Sequence, residues 1–269
     1  MTIGEVRSRS STYGWRAEYS FVTVSTLLVL VYVYGQSNLN FIGFVSNIIA
    51  PFEALAAFAM AALLWKINSG TRAGGMSRVY ASYSLGIGLW FVAECTWSLY
   101  ALAFRIDTPF PSIADLFWLA GYIPLLLALL LQAWPFRELL ISRKQLALTL
   151  GMFVLTFSIL IVTIPPLFEQ GQDLVALSVS VAYPLLDMLL LTLAIPILLI
   201  FRKGAYWRPL LFVMFGIILQ LVGDLAFNQA IFSNTYYAGS PIDLVFDFSY
   251  LMLALGFYRA LKPWHLGDL

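Results

Sequence analysis

Seven carboxylic acids stand inside strongly apolar stretches of this 269-residue chain, and they are its best candidates for chemistry. An acidic side chain that faces lipid is costly, so such residues face a protein interior and often mark a ligand, ion or proton pathway. We therefore expect these carboxyl groups to point into the centre of a membrane-embedded bundle. They are Glu53, Glu94, Asp115, Asp187, Asp224, Asp243 and Asp247.

Aromatic and amide side chains recur beside these acids at helical spacing. Trp90 and Trp97 flank Glu94 at i−4 and i+3, which places the three on one face of a helix. Tryptophan and tyrosine rings attract organic ammonium groups, and hard ions prefer oxygen ligands. The pattern predicts an outward-opening acidic and aromatic cavity for a ligand or cation. Its candidate residues are the seven acids together with Trp90, Trp97, Tyr183, Gln220 and Asn228.

Two other interpretations of the acids stay open. Buried carboxyl groups also hold helices together by hydrogen bonds, or form a proton or ion path. Four carboxyl groups that share a low-dielectric cavity cannot all be ionised without a cation, because like charges disfavour one another. The site would then stay partly protonated, or it would recruit an ion or an ammonium ligand. The four that we expect to converge are Glu53, Glu94, Asp187 and Asp224.

The composition is that of a polytopic membrane protein. Hydrophobic residues make up 61% of the chain and charged residues 11%, and the mean hydropathy is +0.86; soluble domains carry roughly 25% charged residues. A single cysteine, Cys95, excludes an internal disulfide, and the single histidine, His265, argues against haem and the usual zinc sites. We therefore expect no cofactor, no enzymatic activity and no nucleic-acid partner.

Eight apolar runs are long enough to cross a bilayer, which takes roughly 20 residues. The sequence therefore predicts an all-α protein with eight transmembrane helices, preceded by a disordered cytoplasmic segment, 1–17. The predicted spans are 19–35, 40–65, 79–104, 113–134, 145–165, 174–201, 208–231 and 242–261.

The basic residues predict the orientation of these spans. Fourteen of the fifteen fall on one side of the eight-span arrangement, and only Arg105 falls on the other. The excess of lysine and arginine in cytoplasmic loops then places both termini in the cytoplasm of a multi-pass protein of the cell membrane. The fourteen are Arg7, Arg9, Arg16, Lys66, Arg72, Arg78, Arg137, Arg143, Lys144, Arg202, Lys203, Arg208, Arg259 and Lys262.

An internal duplication relates the two halves of the chain. Asp115 and Tyr122 have counterparts in Asp243 and Tyr250, both 128 positions later, each in a stretch that opens with serine. A constant offset near half the length indicates a repeat. We predict two four-helix repeats, 18–138 and 139–269, in one membrane domain. Four spans in each make the repeats parallel, related by an axis along the membrane normal.

Three stretches carry a resemblance to a known group of proteins: PSIADLFWLAGY at 111–122, YPLLDMLLL in the sixth span, and SPIDLVFDFSYLMLALG near the end. Here the chain resembles the multi-span membrane regions that precede bacterial and archaeal diguanylate cyclases and histidine kinases. The resemblance implies a sensory input module in signal transduction. No cyclase or kinase segment follows residue 261, so output would come from a protein partner or a fused domain.

We therefore predict a membrane sensor or ligand-binding module with the lipid bilayer and a small cation as partners. An ion- or proton-coupled transporter is the first alternative. The sequence lacks the paired Gly-rich broken helices and the intramembrane lysine or arginine that many carriers use. An accessory or structural subunit of a larger membrane complex is the second alternative.

Overall fold

The computed structural model describes residues 3–70, 74–106, 110–140, 142–163, 173–202 and 207–265, and all its regular elements are helices. The prediction of an all-α protein is thereby confirmed. A π-helical turn, Tyr100–Phe104, extends the third helix, and short helical turns, Trp134–Phe136 and Arg137–Leu140, follow the fourth. The long helices are α1 Ile3–Gly35, α2 Leu39–Ser69, α3 Gly74–Leu99, α4 Ile113–Ala133, α5 Arg143–Thr163, α6 Leu174–Ile200, α7 Trp207–Phe232 and α8 Pro241–His265.

Six of these helices are long and apolar enough to cross a membrane: α2, α3 with its π-helical turn, α4, α6, α7 and α8. The chain therefore has the helices of a multi-pass membrane protein. Two shorter apolar stretches, Tyr19–Gly35 in α1 and Leu146–Leu155 in α5, fall below that length. They lie within the first and fifth predicted spans.

The first helix extends further than the sequence indicated. Residues 3–17, which we expected to be disordered, continue α1 without a break. No proline interrupts residues 3–35, so backbone hydrogen bonding can propagate outward from the apolar part of the helix.

The six membrane-crossing helices form a closed ring. Each packs against two neighbours, in the order α2, α3, α4, α6, α7, α8 and back to α2. Helix α1 packs outside this ring against α2 and α8, and α5 packs outside it against α6. Within the ring, the neighbours are unchanged when each helix of the first predicted repeat is exchanged for its counterpart in the second, since α4–α6 becomes α8–α2.

Small residues bring the helices of the ring close together at two corresponding places. A Cβ atom on Gly86 of α3 would lie 2.9 Å from the Gly121 carbonyl oxygen of α4. A Cβ atom on Gly216 of α7 would lie 3.1 Å from the Ser249 carbonyl oxygen of α8. Glycine is needed at both places because the facing backbone leaves no room for a side chain.

Several basic residues of the cytoplasmic prediction lie at the ends of the described helices. Lys66 lies in the last turn of α2, and Arg143 and Arg208 lie in the first turns of α5 and α7. Arg72 and Lys203 lie outside the described residues. The buried side chains at this end include Asn68 of α2 and the hydrogen-bonded pair Tyr83 of α3 and Gln132 of α4.

Candidate functional site

A cavity opens inside the ring near the end where α4 and α8 begin. It offers about 80 Å³ to the centres of water-sized molecules. One water needs roughly 10–15 Å³ on this measure, so the cavity has room for several waters or one small ligand. Its wall is formed by Ser46, Asn47, Ala50, Glu94, Trp97, Ser98, Asp115, Trp118, Tyr183, Gln220, Asp224, Phe227, Tyr236, Asp243, Phe246 and Asp247.

Two of the five carboxyl groups in this wall also cap helices. Asp115 accepts hydrogen bonds from the Ser112 backbone N–H at 2.6 Å and from the Tyr183 hydroxyl at 2.8 Å. Ser112 and Asp115 form a reciprocal capping box, the arrangement that satisfies the free N–H groups at the start of α4. Both Asp115 oxygens therefore have protein partners.

Asp243 has the corresponding position in α8. Its carboxyl group accepts one hydrogen bond from the Gly239 backbone N–H at 2.6 Å and another from the Tyr236 hydroxyl at 2.9 Å. Gly239 has a φ of 82°, in the left-handed region that glycine favours. Its N–H thereby turns toward the first turn of α8. Both serine-led stretches begin helices, since Ser112 precedes α4 and Ser240 precedes α8, close to the predicted starts at 113 and 242.

Two tyrosines reach across the ring from one half of the chain to an acid of the other. Tyr250 of α8 donates to Glu94 of α3 at 2.7 Å. The Tyr122 hydroxyl oxygen of α4 lies 3.3 Å from a carboxyl oxygen of Asp224 in α7. The same hydroxyl group donates a 2.7 Å hydrogen bond to Asp187 of α6. All five side chains are buried. These hydrogen bonds join the first half of the chain to the second.

Two pairs of carboxyl groups face each other. Asp187 lies within hydrogen-bonding reach of Asp224, and Glu53 lies within reach of Asp247. Tyr32 of α1 donates to Asp247 at 2.7 Å. In both pairs one member, Asp224 or Asp247, lines the cavity, and the other, Asp187 or Glu53, lies behind it.

Aromatic rings complete the wall. Trp97 packs against Trp118 with ring centroids 5.8 Å apart and edge-on against Phe227 at 6.2 Å. Phe227 in turn meets Tyr236 at 4.8 Å. These rings come from α3, α4, α7 and the loop before α8, so the aromatic surface surrounds the acids.

The hydroxyl group of Ser98 in the wall has no protein partner among the described residues. Ser98 Oγ of α3 is buried and has no hydrogen-bond partner among the described residues. Buried hydroxyl groups are nearly always hydrogen-bonded to protein or water. Its position in the cavity wall therefore suits a contact with the contents of the cavity.

Eight of the twelve predicted site residues line this cavity. They are Glu94, Asp115, Asp224, Asp243, Asp247, Trp97, Tyr183 and Gln220. The other four lie behind it. Glu53 and Asp187 belong to the carboxyl pairs, Trp90 donates its ring N–H to the Trp118 carbonyl oxygen at 3.0 Å, and Asn228 donates to the Ser180 carbonyl oxygen at 2.8 Å.

Sequence reasoning missed several residues of the site. Tyr122 and Tyr250 were not among the predicted site residues, yet they donate hydrogen bonds to the central acids. Their spacing of seven from Asp115 and Asp243 was the available signal, because it puts them two turns deeper on the same helical face. Nothing in the sequence pointed to Tyr32. The remaining residues missed in the wall are Ser46, Asn47, Ala50, Ser98, Trp118, Phe227, Tyr236 and Phe246.

The cavity ends on an apolar layer toward the basic ends of the helices. There the ring interior is filled by side chains around a void of only about 10 Å³. Such a space is too small and too apolar to hold a chain of waters. The layer consists of Tyr83, Ile87, Trp90, Leu125, Leu129, Leu190, Val213, Ile217, Leu253 and Phe257.

The acids are not arranged as metal ligands. Among the described residues, no three histidine, cysteine, aspartate or glutamate side chains converge closely enough to hold a metal ion. The cavity has aromatic faces as well as carboxyl groups, and none of the residues in its wall is basic. No protein-family model, curated protein or solved structure matches the chain.

Proposed function

We propose that this protein is an integral membrane ligand-binding module of the sensory type, and that its cavity binds a small organic cation. The observation that carries the proposal is the composition of the wall, which combines five carboxyl groups and six aromatic rings without a basic residue. Carboxylates supply the charge that an ammonium group needs, and aromatic faces bind it by cation–π attraction.

An organic ammonium suits the cavity better than a bare ion. A metal ion gathers several oxygens at short distance, whereas Asp115 and Asp243 already satisfy backbone and tyrosine donors. An ammonium ligand needs only nearby negative charge and ring faces, which Glu94, Asp224 and Trp97 offer. The space for a few waters matches a ligand of that size.

For the membrane arrangement we propose eight spans, with α1 and α5 crossing as well as the ring helices and both termini in the cytoplasm of the cell membrane. We further propose that α1–α4 and α5–α8 are parallel repeats. The exchangeable neighbours within the ring, the corresponding glycine contacts and the reciprocal tyrosine hydrogen bonds support the repeat. The cavity then opens to the outside.

The resemblance to sensor regions supports a signalling role. Binding in the cavity would act on α3, α4, α7 and α8 together, because each contributes an acid or a ring to the wall. Both repeats would therefore respond to one ligand and pass the change to a partner or a fused output domain. In this proposal the protein performs no catalysis.

The apolar layer favours binding over transport. A carrier needs an alternative arrangement in which the same acids face the other side of the membrane. Purified protein in sealed vesicles distinguishes the two functions: a binding module retains radiolabelled tetramethylammonium at its site only, whereas a carrier accumulates it in the lumen.

A thermal-shift titration tests the proposal directly. We expect tetramethylammonium to raise the Tm of the purified protein with concentration, since a ligand that binds only the folded state stabilises it by mass action. Sodium and magnesium should have little effect at matched ionic strength. Glu94→Gln should remove most of the shift, and Glu138→Gln, an exposed site far from the cavity, should preserve it. No shift with any organic ammonium would contradict the proposal.

A further inference from the structure

Three buried carboxyl oxygens have no N–H or O–H donor within reach among the described residues. They are Glu53 Oε2, Asp187 Oδ2 and Asp247 Oδ1. All three belong to the two carboxyl pairs. An ionised carboxyl group only accepts hydrogen bonds, so these oxygens are satisfied when one member of each pair carries a proton and donates it to the other.

The surroundings of the first pair indicate where its proton lies. The Tyr122 hydroxyl is 2.7 Å from Asp187 but 3.3 Å from Asp224. The closer donor stabilises negative charge on Asp187. Asp224 is then the protonated member, and it is also the member that lines the cavity.

In the second pair the arrangement is reversed with respect to the cavity. Tyr32 donates to Asp247 at 2.7 Å, which favours the anion there. Glu53, which does not line the cavity, then holds the proton and donates to Asp247. This pair presents a charged group to the cavity and keeps its proton behind the wall.

We propose that Asp224 releases its proton to solvent when a cationic ligand binds, so that binding exchanges one proton for one ligand cation. This inference rests on the proposed function. The O–H bond of Asp224 breaks, its electron pair stays on the carboxylate, and the ligand's positive charge replaces that of the departing proton. The total charge of the site is unchanged.

The groups that face Asp224 make this exchange favourable. The titratable groups near it are acids and tyrosines: Asp187 and Tyr183 from α6, Asp115 and Tyr122 from α4, Tyr250 from α8, and Glu94, Tyr236, Asp243 and Asp247 in the cavity wall. No basic side chain lines the cavity to hold Asp224 as an anion. A cation between Asp224 and the aromatic rings supplies the missing positive charge.

The first measurement needs no ligand. Infrared spectra of the protein in detergent should show the C=O stretch of a protonated carboxyl group that Asp224→Asn removes. Asp187→Asn should remove the same band, because its amide donates to Asp224 and takes the place of the shared proton. If the wild-type spectrum contains no such band, the inference is overturned while the proposed function stays intact.

The second measurement uses tetramethylammonium as the probe. Its apparent Kd should fall about tenfold for each unit rise in pH while Asp224 is protonated, and calorimetry in buffers of different ionisation enthalpy should show about one proton released. Asp224→Asn should abolish both the pH dependence and the release. Glu53→Gln should retain them, because its proton lies behind the wall.

The outcomes separate the two proposals. Binding without proton release, or release that survives Asp224→Asn, contradicts the exchange but supports the ligand site. No binding at any pH contradicts the ligand site and with it the exchange, whatever the infrared spectra show.

Discussion

The Tyr250 hydroxyl donates to Glu94 at 2.7 Å across 156 positions of the chain. In the other direction Tyr122 reaches Asp224, which follows Arg208 by 16 positions as Glu94 follows Arg78, and it donates a hydrogen bond to Asp187 as well. Each tyrosine therefore joins its own half of the chain to the other. A hydrogen bond between two buried groups fixes the distance of the helices that carry them, so these bonds hold the ring closed around the cavity.

Removing the Tyr250 hydroxyl should destabilise the protein. Tyr250→Phe leaves Glu94 without this donor in a buried site, which costs about 1–3 kcal/mol. Thermal unfolding in detergent should show a lowered Tm. Tyr34→Phe is the matched control, since the Tyr34 ring is 74% exposed. Equal Tm values for Tyr250→Phe and the wild type would show that the bond contributes nothing to stability.

The two glycine contacts should respond alike to a methyl group. In Gly86→Ala the new Cβ would meet Leu125 Cγ at 2.6 Å, and in Gly216→Ala it would meet Leu253 Cγ at 2.8 Å. Overpacking of this kind costs about 1–3 kcal/mol. Both variants should therefore melt earlier than the wild type.

The control for the glycine variants lies in α5. No atom lies within 4 Å of the position of a Cβ on Gly151, so Gly151→Ala should be neutral or stabilising by up to about 1 kcal/mol through helix propensity. A large drop in Tm for one ring-glycine variant and none for the other would argue against equivalent packing in the two halves.

Cysteine accessibility tests the proposed eight spans. In a Cys95→Ser background, an impermeant maleimide added to intact cells should label Ser37→Cys and Asp173→Cys. It should leave Arg9→Cys and Ser142→Cys unlabelled until the membrane is opened. Arg9→Cys and Ser37→Cys on the same side would mean that α1 does not cross, and the same result at 142 and 173 would mean that α5 does not cross.

Alkaline pH should destabilise the loop before α8. Burial first, and then the nearby Asp243 carboxyl, raise the pKa of the Tyr236 hydroxyl well above its usual value near 10. The folded protein keeps a proton that the unfolded chain loses above about pH 10. This tyrosine's contribution to stability is therefore complete below that pH and declines by up to about 1.4 kcal/mol per pH unit above it.

Tyr236→Phe removes that dependence. At pH 8 the variant should have the lower Tm, because it lacks the hydrogen bond to Asp243. From pH 10 to 11 its Tm should fall less steeply than that of the wild type, so the two curves converge. Parallel curves over this range would show that Tyr236 does not lose its proton on unfolding. The other tyrosines affect both proteins equally.

The sequence alone predicted most helix bounds within a few residues. The fourth run, 113–134, corresponds to Ile113–Ala133, and the sixth, 174–201, corresponds to Leu174–Ile200. Apolar length, the capping serines and the basic residues at the ends carry this information locally, because a helix in lipid satisfies its own backbone hydrogen bonds. The same local signals placed the acids toward one end of the bundle.

Only the tertiary structure decided which side chains meet. Periodicity assigns Trp90, Glu94 and Trp97 to one side of α3, but packing of α3 against α4 buries Trp90 beneath the cavity and leaves the other two in its wall. Glu53 of α2 meets Asp247 of α8 rather than Glu94 of α3, although α2 packs against both helices, so even the order of helices in the ring does not decide the partner. Helical spacing fixes directions within one helix, whereas contacts between helices depend on how their surfaces pack, and no single stretch of sequence contains that information.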